Sequence, residues 1–365
     1  MRKVFTFVLE NMNIYDLLVE AQALKASDLH ITVGVPPKVR IHGALTALDY
    51  PALMPEDTEE LLLPILDERT RSTFDTCGEV DFALNFGDGE RCRANVYRQK
   101  TMVAGAFRII NSKIPRTEEL GIPWAVTDLH TKNNGLVLVT GPTGSGKSTT
   151  LASIINLVNK NRDCHIITLE DPIEYIHEHK RSIVNQREMG TDSRSYADAL
   201  RSALREDPDV ILVGEMRDLE TISIAVTAAE TGHLVFSTLH TIGSAATIDR
   251  IIDVFPLSQQ EQIRIQLSTV LQGVISQRLL PNATNTGRVA AFEVMLACPA
   301  IQNLIRENKT YQIQSVLQTN RAMGMQTLDN SLFDLYMNGK IAKSECIRYA
   351  IEPAAMEKAL QTGGF

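Results

Sequence analysis

The sequence predicts an α/β protein in which a parallel sheet is wrapped by helices, with a small α+β domain before it and helices after it. In the middle of the chain, short and nearly continuous apolar runs alternate with helical patterns, at residues 136–140, 165–169, 210–213 and 234–238. Strands buried on both faces have this composition, and helical connections between them produce a parallel sheet. A glycine-rich motif directly after the first run is a second indication, because phosphate-binding loops join a strand to a helix. With 365 residues, the chain is also longer than one hydrophobic core usually serves, so we expect two domains.

Composition and charge indicate a folded protein without a strong attraction for polyanions. Apolar residues make up 44%, and 44 acidic residues outnumber 36 basic ones, for a net charge of -8. This balance opposes binding to nucleic-acid backbones or anionic lipid. The five cysteines lie far apart and form no Cys-x-x-Cys pair, so we expect reduced thiols in a cytosolic protein rather than a zinc or redox site. No uninterrupted apolar segment reaches the roughly 20 residues that span a bilayer, so a membrane connection is expected only through partners.

The N-terminal part has the pattern of a small α+β domain, residues 12–112, preceded by an extension at residues 1–11. Asn13 is the predicted N-cap of a helix with apolar residues at 14, 17, 18 and 21. Three segments alternate apolar and polar side chains, as strands with one solvated face do; they are residues 28–34, 37–43 and 80–86.

Residues 113–134 hold two prolines, a glycine and the only tryptophan, and are predicted as a domain linker. The α/β core then occupies residues 135–280. Beyond Ser258 the pattern turns helical, including residues 259–279 and 344–360. Residues 281–365 are therefore predicted as a C-terminal helical region.

A phosphate-binding loop follows the first apolar run. Residues 141–148 match G-x-x-x-x-G-K-[ST], between a strand pattern and a helix pattern. In such loops successive backbone N–H groups converge on phosphate oxygens at a helix N-terminus, a lysine adds charge and a hydroxyl binds Mg²⁺. We therefore predict a site for ATP and Mg²⁺, with Ser148 as the metal ligand. The predicted nucleotide-binding residues of this segment are Gly141, Pro142, Thr143, Gly144, Ser145, Gly146, Lys147, Ser148 and Thr149.

Hydrolysis also requires a carboxylate that orients the attacking water. Glu215 follows the strand at 210–213, and the carboxyl end of a parallel strand delivers side chains to the ligand crevice. We predict Glu215 as the catalytic base and Lys147 as a catalytic cation. The aspartate that usually precedes such a glutamate is replaced by Gly214.

Glu170 and Asp171 end the strand at 166–169 in the same way, and Pro172 follows them. They are candidate nucleotide-site residues, with a solvated loop charge or helix cap as the alternative. Because Gly214 leaves no aspartate on the metal, Glu170 and Glu215 are expected to act on Mg²⁺ through water.

His233 and His240 bracket the strand at 234–238. We predict His240 in the catalytic set and His233 at the nucleotide, one of them sensing the γ-phosphate. A packed structural histidine is the alternative, and no further ligand cluster indicates zinc.

These motifs, in this order, resemble the secretion ATPase superfamily, and most closely the type IV pilus retraction ATPases, the PilT family. The resemblance extends over nearly the whole chain from Met12. It is carried by four segments, residues 141–149, 167–175, 209–218 and 231–241. It implies a PAS-like N-terminal domain and a RecA-like P-loop ATPase domain, assembled as a homohexamer with nucleotide between domains. It further implies a motor that pulls pilins from a filament through an inner-membrane platform protein, at the inner face of the cytoplasmic membrane.

The resemblance also implies arginines that act across the ring, matched here by Arg93 and Arg108. From the residues alone these are surface charges. Arg91 and Arg93 share one strand face, whereas Arg98 lies on the other. With the resemblance, we expect Arg93 and Arg108 to complete the catalytic site.

Three alternatives remain at this point. One is a pilus assembly or type II secretion ATPase; these relatives commonly carry a four-cysteine zinc insertion, which this sequence lacks. Another is a RecA-like nucleic-acid translocase, but the acidic balance and 5% aromatic content argue against a strand-tracking groove, so no direct nucleic-acid partner is expected. A nucleotide switch without hydrolysis is the third, and Glu215 and the arginines disfavour it.

Overall fold

The computed structural model of the chain describes residues 13–41, 43–87, 90–110 and 113–363. They fall into two compact units, Met1–Lys113 and Ile114–Phe365. The predicted extension at residues 1–11 lies outside the described residues, and the domain limits drawn from the sequence stay predictions. No helix in the described part of the chain combines the length and apolar character needed to cross a membrane.

The first unit is an antiparallel sheet with helices packed on it. Asn13 caps the first helix, since its side chain accepts a hydrogen bond from the Asp16 amide at 2.9 Å, which confirms that prediction. The strands pair in the order β3-β2-β1-β6-β5-β4, all antiparallel. The core includes Leu17, Phe74 and Phe107. The elements are α1 (Ile14–Ala23), β1 (Asp28–Ile31), β2 (Lys38–Ile41), β3 (Ala44–Ala47), α2 (Pro55–Leu62), α3 (Glu68–Cys77), β4 (Glu79–Phe86), β5 (Glu90–Gln99) and β6 (Met102–Ile110).

The second unit contains a seven-stranded sheet in the order β13-β12-β7-β11-β10-β8-β9. Its elements are α4 (Trp124–Thr127), β7 (Gly135–Thr140), α5 (Lys147–Asn161), β8 (His165–Glu170), β9 (Ile183–Glu188), α6 (Tyr196–Ala203), β10 (Val210–Val213), α7 (Leu219–Glu230), β11 (Leu234–Leu239), α8 (Ser244–Asp253), α9 (Leu257–Val270), β12 (Leu271–Pro281), β13 (Arg288–Leu296), α10 (Pro299–Arg306), α11 (Ile313–Thr319), α12 (Leu328–Met337), α13 (Lys343–Tyr349) and α14 (Pro353–Thr362). Short 3₁₀ turns follow α4, α10 and α11.

Strands β12, β7, β11, β10, β8 and β9 are parallel to their neighbours, and only β13 runs antiparallel. The central strands are buried on both faces. One face packs against α6 to α9 and the other against α5. The carboxyl ends of β7, β8, β10 and β11 therefore meet at one edge of the sheet, as the sequence predicts.

The predicted helix at residues 259–279 is wrong in its second half. Helix α9 ends at Val270, and β12 begins at the next residue, followed by the further strand β13. A short apolar run is ambiguous between helix and strand, and its pairing partners decide. β12 lies between β7 and β13. A Cβ on Gly273 would be only 3.1 Å from the Met295 carbonyl, so the absence of a side chain at Gly273 allows β12 to pair closely with β13.

All but the first residue of the segment predicted as a linker, residues 113–134, belongs to the second unit, which begins at Ile114. It contains α4 and the 3₁₀ turn Asp128–Thr131. Ile122, Val126 and Leu129 are buried in the core beside α5. The prolines and glycine therefore shape a packed connection at this point.

Candidate nucleotide-binding and active site

The phosphate loop connects β7 to α5 by a tight turn that only glycines allow. Gly141 has φ +142° and Gly146 has φ +89°, values that disfavour other residues. A Cβ on Gly141 would lie 2.3 Å from the Gln277 carbonyl oxygen. The loop is therefore pressed against β12, and α5 begins directly after Gly146 with its free N–H groups at the sheet edge.

Lys147 opens α5 and is nearly buried, with 9% of its surface exposed. Its Nζ donates to the Gly141 carbonyl at 2.9 Å and to the Pro142 carbonyl at 3.2 Å. Burial lowers the pKa of this ammonium, against the opposing charges of Glu215 and Glu174. The cation is thus held inside the loop and close enough to Glu215 to feel its charge.

Gln277 supports the loop from β12 and was missed in the sequence. Its Nε2 donates to the Ser145 carbonyl at 2.6 Å, and its Oε1 accepts from the Thr150 hydroxyl at 2.8 Å. The side chain is 2% exposed. No local signal could have identified it, because the first of these contacts spans 132 residues and the segment was predicted as helix.

Glu215 follows β10 at the same edge and is the centre of a small charged cluster. Its Oε1 lies 2.7 Å from Arg217 Nε and 3.2 Å from His240 Nε2. Burial raises the pKa of Glu215, but the hydrogen bond and charge of Arg217, together with His240, outweigh this and hold the pKa below its ordinary value. Glu215 is therefore a carboxylate over the whole neutral range.

Gly214 is explained by the side chain that lies beside it. A Cβ on this residue would be 2.9 Å from the Tyr196 hydroxyl and 3.1 Å from the Leu169 carbonyl. The aspartate expected before Glu215 would not fit in that space. Burial raises the pKa of Tyr196, and the charges of Asp171, Glu170 and Glu215 raise it further, so this phenol is neutral in the physiological pH range.

Glu170 and Asp171 reach the same edge at the end of β8. Glu170 Oε1 accepts hydrogen bonds from the Thr168 hydroxyl at 2.6 Å and Gln186 Nε2 at 3.2 Å. Burial raises the pKa of Glu170 despite these bonds. The pKa of Glu215 is instead lowered, so the neutral form is more favoured for Glu170 than for Glu215. Asp171 is exposed.

His240 and His233 lie at opposite ends of β11. His240 joins Glu215, whereas His233 precedes the strand and its Nδ1 lies 2.9 Å from the Ala228 carbonyl. At about 3.3 Å per residue, the strand separates them by roughly 20 Å. His233 therefore lies apart from the Glu215 cluster within this unit, and its predicted contact with the nucleotide stays a prediction.

Arg93 and Arg108 belong to the first unit, where they are paired directly across β5 and β6. Both side chains are largely exposed, 51% and 73%. Arg108 Nε lies 3.1 Å from Asp28 Oδ1, and Arg93 Nε lies 3.8 Å from Asp81 Oδ1. These carboxylates offset the repulsion between two like charges on one sheet face.

Two cavities of the second unit border the Glu215 cluster and the phosphate loop. A cavity of about 430 Å³ is lined by Glu215, Arg217, His240 and Arg250. Another, of about 620 Å³, opens beside Gly146, Thr149 and Gln277. Its remaining lining combines apolar side chains with two cations and two carboxylates, and includes Leu279, Val289, Phe292, Leu335, Arg288, Lys340, Glu118 and Glu119.

The oxygen groups at this edge suit a hard cation such as Mg²⁺. Ser148 lies in the first turn of α5, and Glu215 is ionised at the end of β10. Within the described residues, however, no three His, Cys, Asp or Glu side chains cluster as a metal site. Phosphate oxygens would therefore have to complete the coordination.

Comparison with known proteins gives concordant results. The family described as Type II/IV secretion system protein matches residues 124–348. The chain is 48% identical to the Type IV pilus retractation ATPase PilT of Pseudomonas aeruginosa, over 91% of this chain and 96% of that protein. It is also 48% identical to a twitching motility protein of Neisseria gonorrhoeae, over 91% of both chains.

A solved structure agrees with the fold described above. The crystal structure of the pilus retraction motor PilT with bound ADP superposes with a TM-score of 0.90 at 51% identity, covering 95% of this chain and 100% of that one. The match includes the antiparallel first unit, the sheet of the second unit and the C-terminal helices. Sequence, fold and site therefore agree that the chain belongs to the Type II/IV secretion system protein family.

Proposed function

We propose that this protein is an ATP-hydrolysing motor that powers type IV pilus retraction. One observation carries the proposal: the phosphate loop with Lys147 and the ionised Glu215 with His240 converge on one sheet edge. Relatives named as a pilus retraction ATPase and a twitching motility protein support the biological role.

In this mechanism ATP is the substrate. Its phosphates lie against the N–H groups of the loop and the start of α5, with Lys147 turned from the loop carbonyls towards them. We place the nucleoside in the 620 Å³ cavity beside Thr149. Glu215 accepts the proton of the attacking water, and His240 next to it senses the γ-phosphate.

Mg²⁺ would be held by Ser148 and phosphate oxygens, with Glu170 and Glu215 acting through water, and would neutralise charge that develops on the phosphates. The raised pKa of Glu170 favours such an indirect role. Asp171 completes the acidic side of the site.

We further propose a homohexameric ring in which Arg93 and Arg108 complete the site. Support comes from their exposure and their shared position across β5 and β6. Arginines of this kind can be worth roughly 10³–10⁵ in rate. Closure of one domain towards the other around ATP would then supply the movement.

A pilus retraction motor must act where ATP is available and where pilins leave the filament. We therefore place it at the inner face of the cytoplasmic membrane, bound to an inner-membrane platform protein.

Two measurements test the function. Purified protein is expected to release phosphate from ATP, without stimulation by DNA. Deleting the gene is expected to leave surface pili that accumulate without motility, restored by the wild-type gene and not by Glu215→Gln. Loss of pili in the deletion strain would indicate an assembly motor, and absence of phosphate release would refute the ATPase.

A further inference from the structure

Glu293 on β13 is a buried carboxylate that the proposed reaction does not use. It is 1% exposed, and burying such a charge is costly unless it is well hydrogen-bonded. The groups that donate to it within the described part of the chain are neutral. Its Oε1 accepts from the Ser244 amide at 2.6 Å and the Ser244 hydroxyl at 2.5 Å, and its Oε2 accepts from Gln314 Nε2 at 2.8 Å.

These contacts place Glu293 at the start of α8. The helix has ten residues, Ser244–Asp253, and the N-terminus of a helix stabilises a negative charge. Gly243, which precedes it, has φ +89°, and a Cβ there would lie 3.8 Å from Glu293 Oε1. Glu293 thus holds the first turn of α8 by both backbone and side chain.

Only four residues, 240–243, separate the end of β11 from α8, and His240 is the first of them. A segment so short has little freedom when both ends are fixed. Its far end is also held by the Gly243 amide, which donates to the Ser276 hydroxyl at 2.9 Å. The segment that carries His240 is therefore restrained at its far end by two anchors, Ser244 on Glu293 and Gly243 on Ser276.

The strands β12 and β13 form a common base for the two halves of the site. Ser276 lies directly opposite Glu293 in the pairing of these strands, and the next residue, Gln277, holds the phosphate loop. On its other side Glu293 reaches α11 through Gln314. It thus joins the His240 segment to the C-terminal helices.

We propose that Glu293 is a positioning residue for ATP hydrolysis, setting the place of His240 through the start of α8 and linking that segment to α11. This role rests on the proposed ATP hydrolysis and on the place of His240 in it. Glu293 acts only through the residues that it anchors.

A double-mutant cycle with His240→Ala separates positioning from simple stabilisation. Glu293→Ala is expected to lower kcat by about tenfold, a typical coupling between neighbouring groups, with little change in KM for ATP. In the His240→Ala background the same change should lower kcat by less than about twofold. If the losses in kcat of the two single variants multiply in the double variant, or if kcat is unchanged in Glu293→Ala, the proposal is overturned.

Asp329→Ala is the matched control. This carboxylate is also buried and accepts from the amides of Ile351 at 2.7 Å and Glu352 at 3.0 Å, within the C-terminal helices. The Asp329→Ala variant is expected to have a lower melting temperature and a kcat within about twofold of wild type. Its effect on kcat should be the same with and without His240→Ala. If this control shows the same coupling to His240, Glu293 has no special role.

Two further variants complete the test. Where Glu293→Ala does not fold by circular dichroism, Glu293→Gln replaces it in the cycle, because one amide oxygen cannot accept from both Ser244 and Gln314 as the carboxylate does. Gln314→Ala is expected to lower kcat by about threefold, and an unchanged kcat would refute the link to α11. Wild-type protein that releases no phosphate would instead refute the proposed function itself.

Discussion

Replacing Glu215 by glutamine removes the charge of the proposed base and keeps its shape. In the structure Oε1 of this carboxylate receives Arg217 at 2.7 Å and His240 at 3.2 Å. The oxygen of the amide can still accept both hydrogen bonds there, but the amide cannot accept the proton of water. Catalysis should therefore fail while the fold and the phosphate loop remain.

The expected loss in turnover of Glu215→Gln is much larger than its expected loss in stability. General-base catalysis contributes about 10²–10⁴ in rate, which corresponds to roughly 3–5.5 kcal/mol at 1.36 kcal/mol per tenfold. Arg217 is 77% exposed in its ion pair with Glu215, so solvent screens that pair and its loss costs at most about 1 kcal/mol of stability. We expect kcat to fall by at least about a hundredfold with little change in melting temperature.

Steady-state phosphate release measures kcat, and calorimetric titration with a non-hydrolysable ATP analogue measures binding. Glu220→Gln is the matched control, because it removes an exposed carboxylate at the start of α7 that pairs with Arg201 rather than with Arg217 or His240. Turnover of Glu215→Gln within about twofold of wild type, with binding intact, would refute Glu215 as the base.

Three other substitutions test contacts around the site. Gly214→Ala should cost about 1–3 kcal/mol of stability and lower kcat, because its Cβ would lie 2.9 Å from the Tyr196 hydroxyl. Thermal unfolding and turnover measure the two losses, and adding Tyr196→Phe should restore part of the stability and part of kcat. Gln277→Ala should raise KM for ATP by up to about thirtyfold, since two hydrogen bonds of roughly 1 kcal/mol each hold the loop; an unchanged KM would contradict this. Arg217 lowers the pKa of Glu215, so Arg217→Ala should raise that pKa and shift the acid limb of kcat/KM to higher pH, whereas an unshifted limb would show that the cation does not control the base.

Much of the site could be predicted because its parts are local in sequence. The loop at 141–148 carries its own turn glycines, lysine and hydroxyl, and the short apolar runs placed Glu170, Glu215 and His240 after parallel strands. Parallel strands bring their carboxyl ends to one edge whatever the loops between them do. His233 lies at the other end of β11 from this edge, because a strand carries its two ends apart, and its contact with the nucleotide stays a prediction.

The contacts that hold the site depend on distant pairing, and sequence patterns do not reveal them. β12 was predicted as part of a helix, so Gln277 and Ser276 went unrecognised as supports of the phosphate loop and the His240 segment. The place of Tyr196, which explains Gly214, likewise follows only from packing.

By itself the sequence determined the fold class, the phosphate loop and the chemistry available at the strand ends, since these depend on residue type and short-range periodicity. The tertiary structure alone decided which side chains restrain one another: Arg217 and His240 on Glu215, Gln277 on the loop, and Glu293 on the start of α8. The physical reason is that hydrogen bonds and burial act between groups that chain folding brings together, over separations that no local pattern spans.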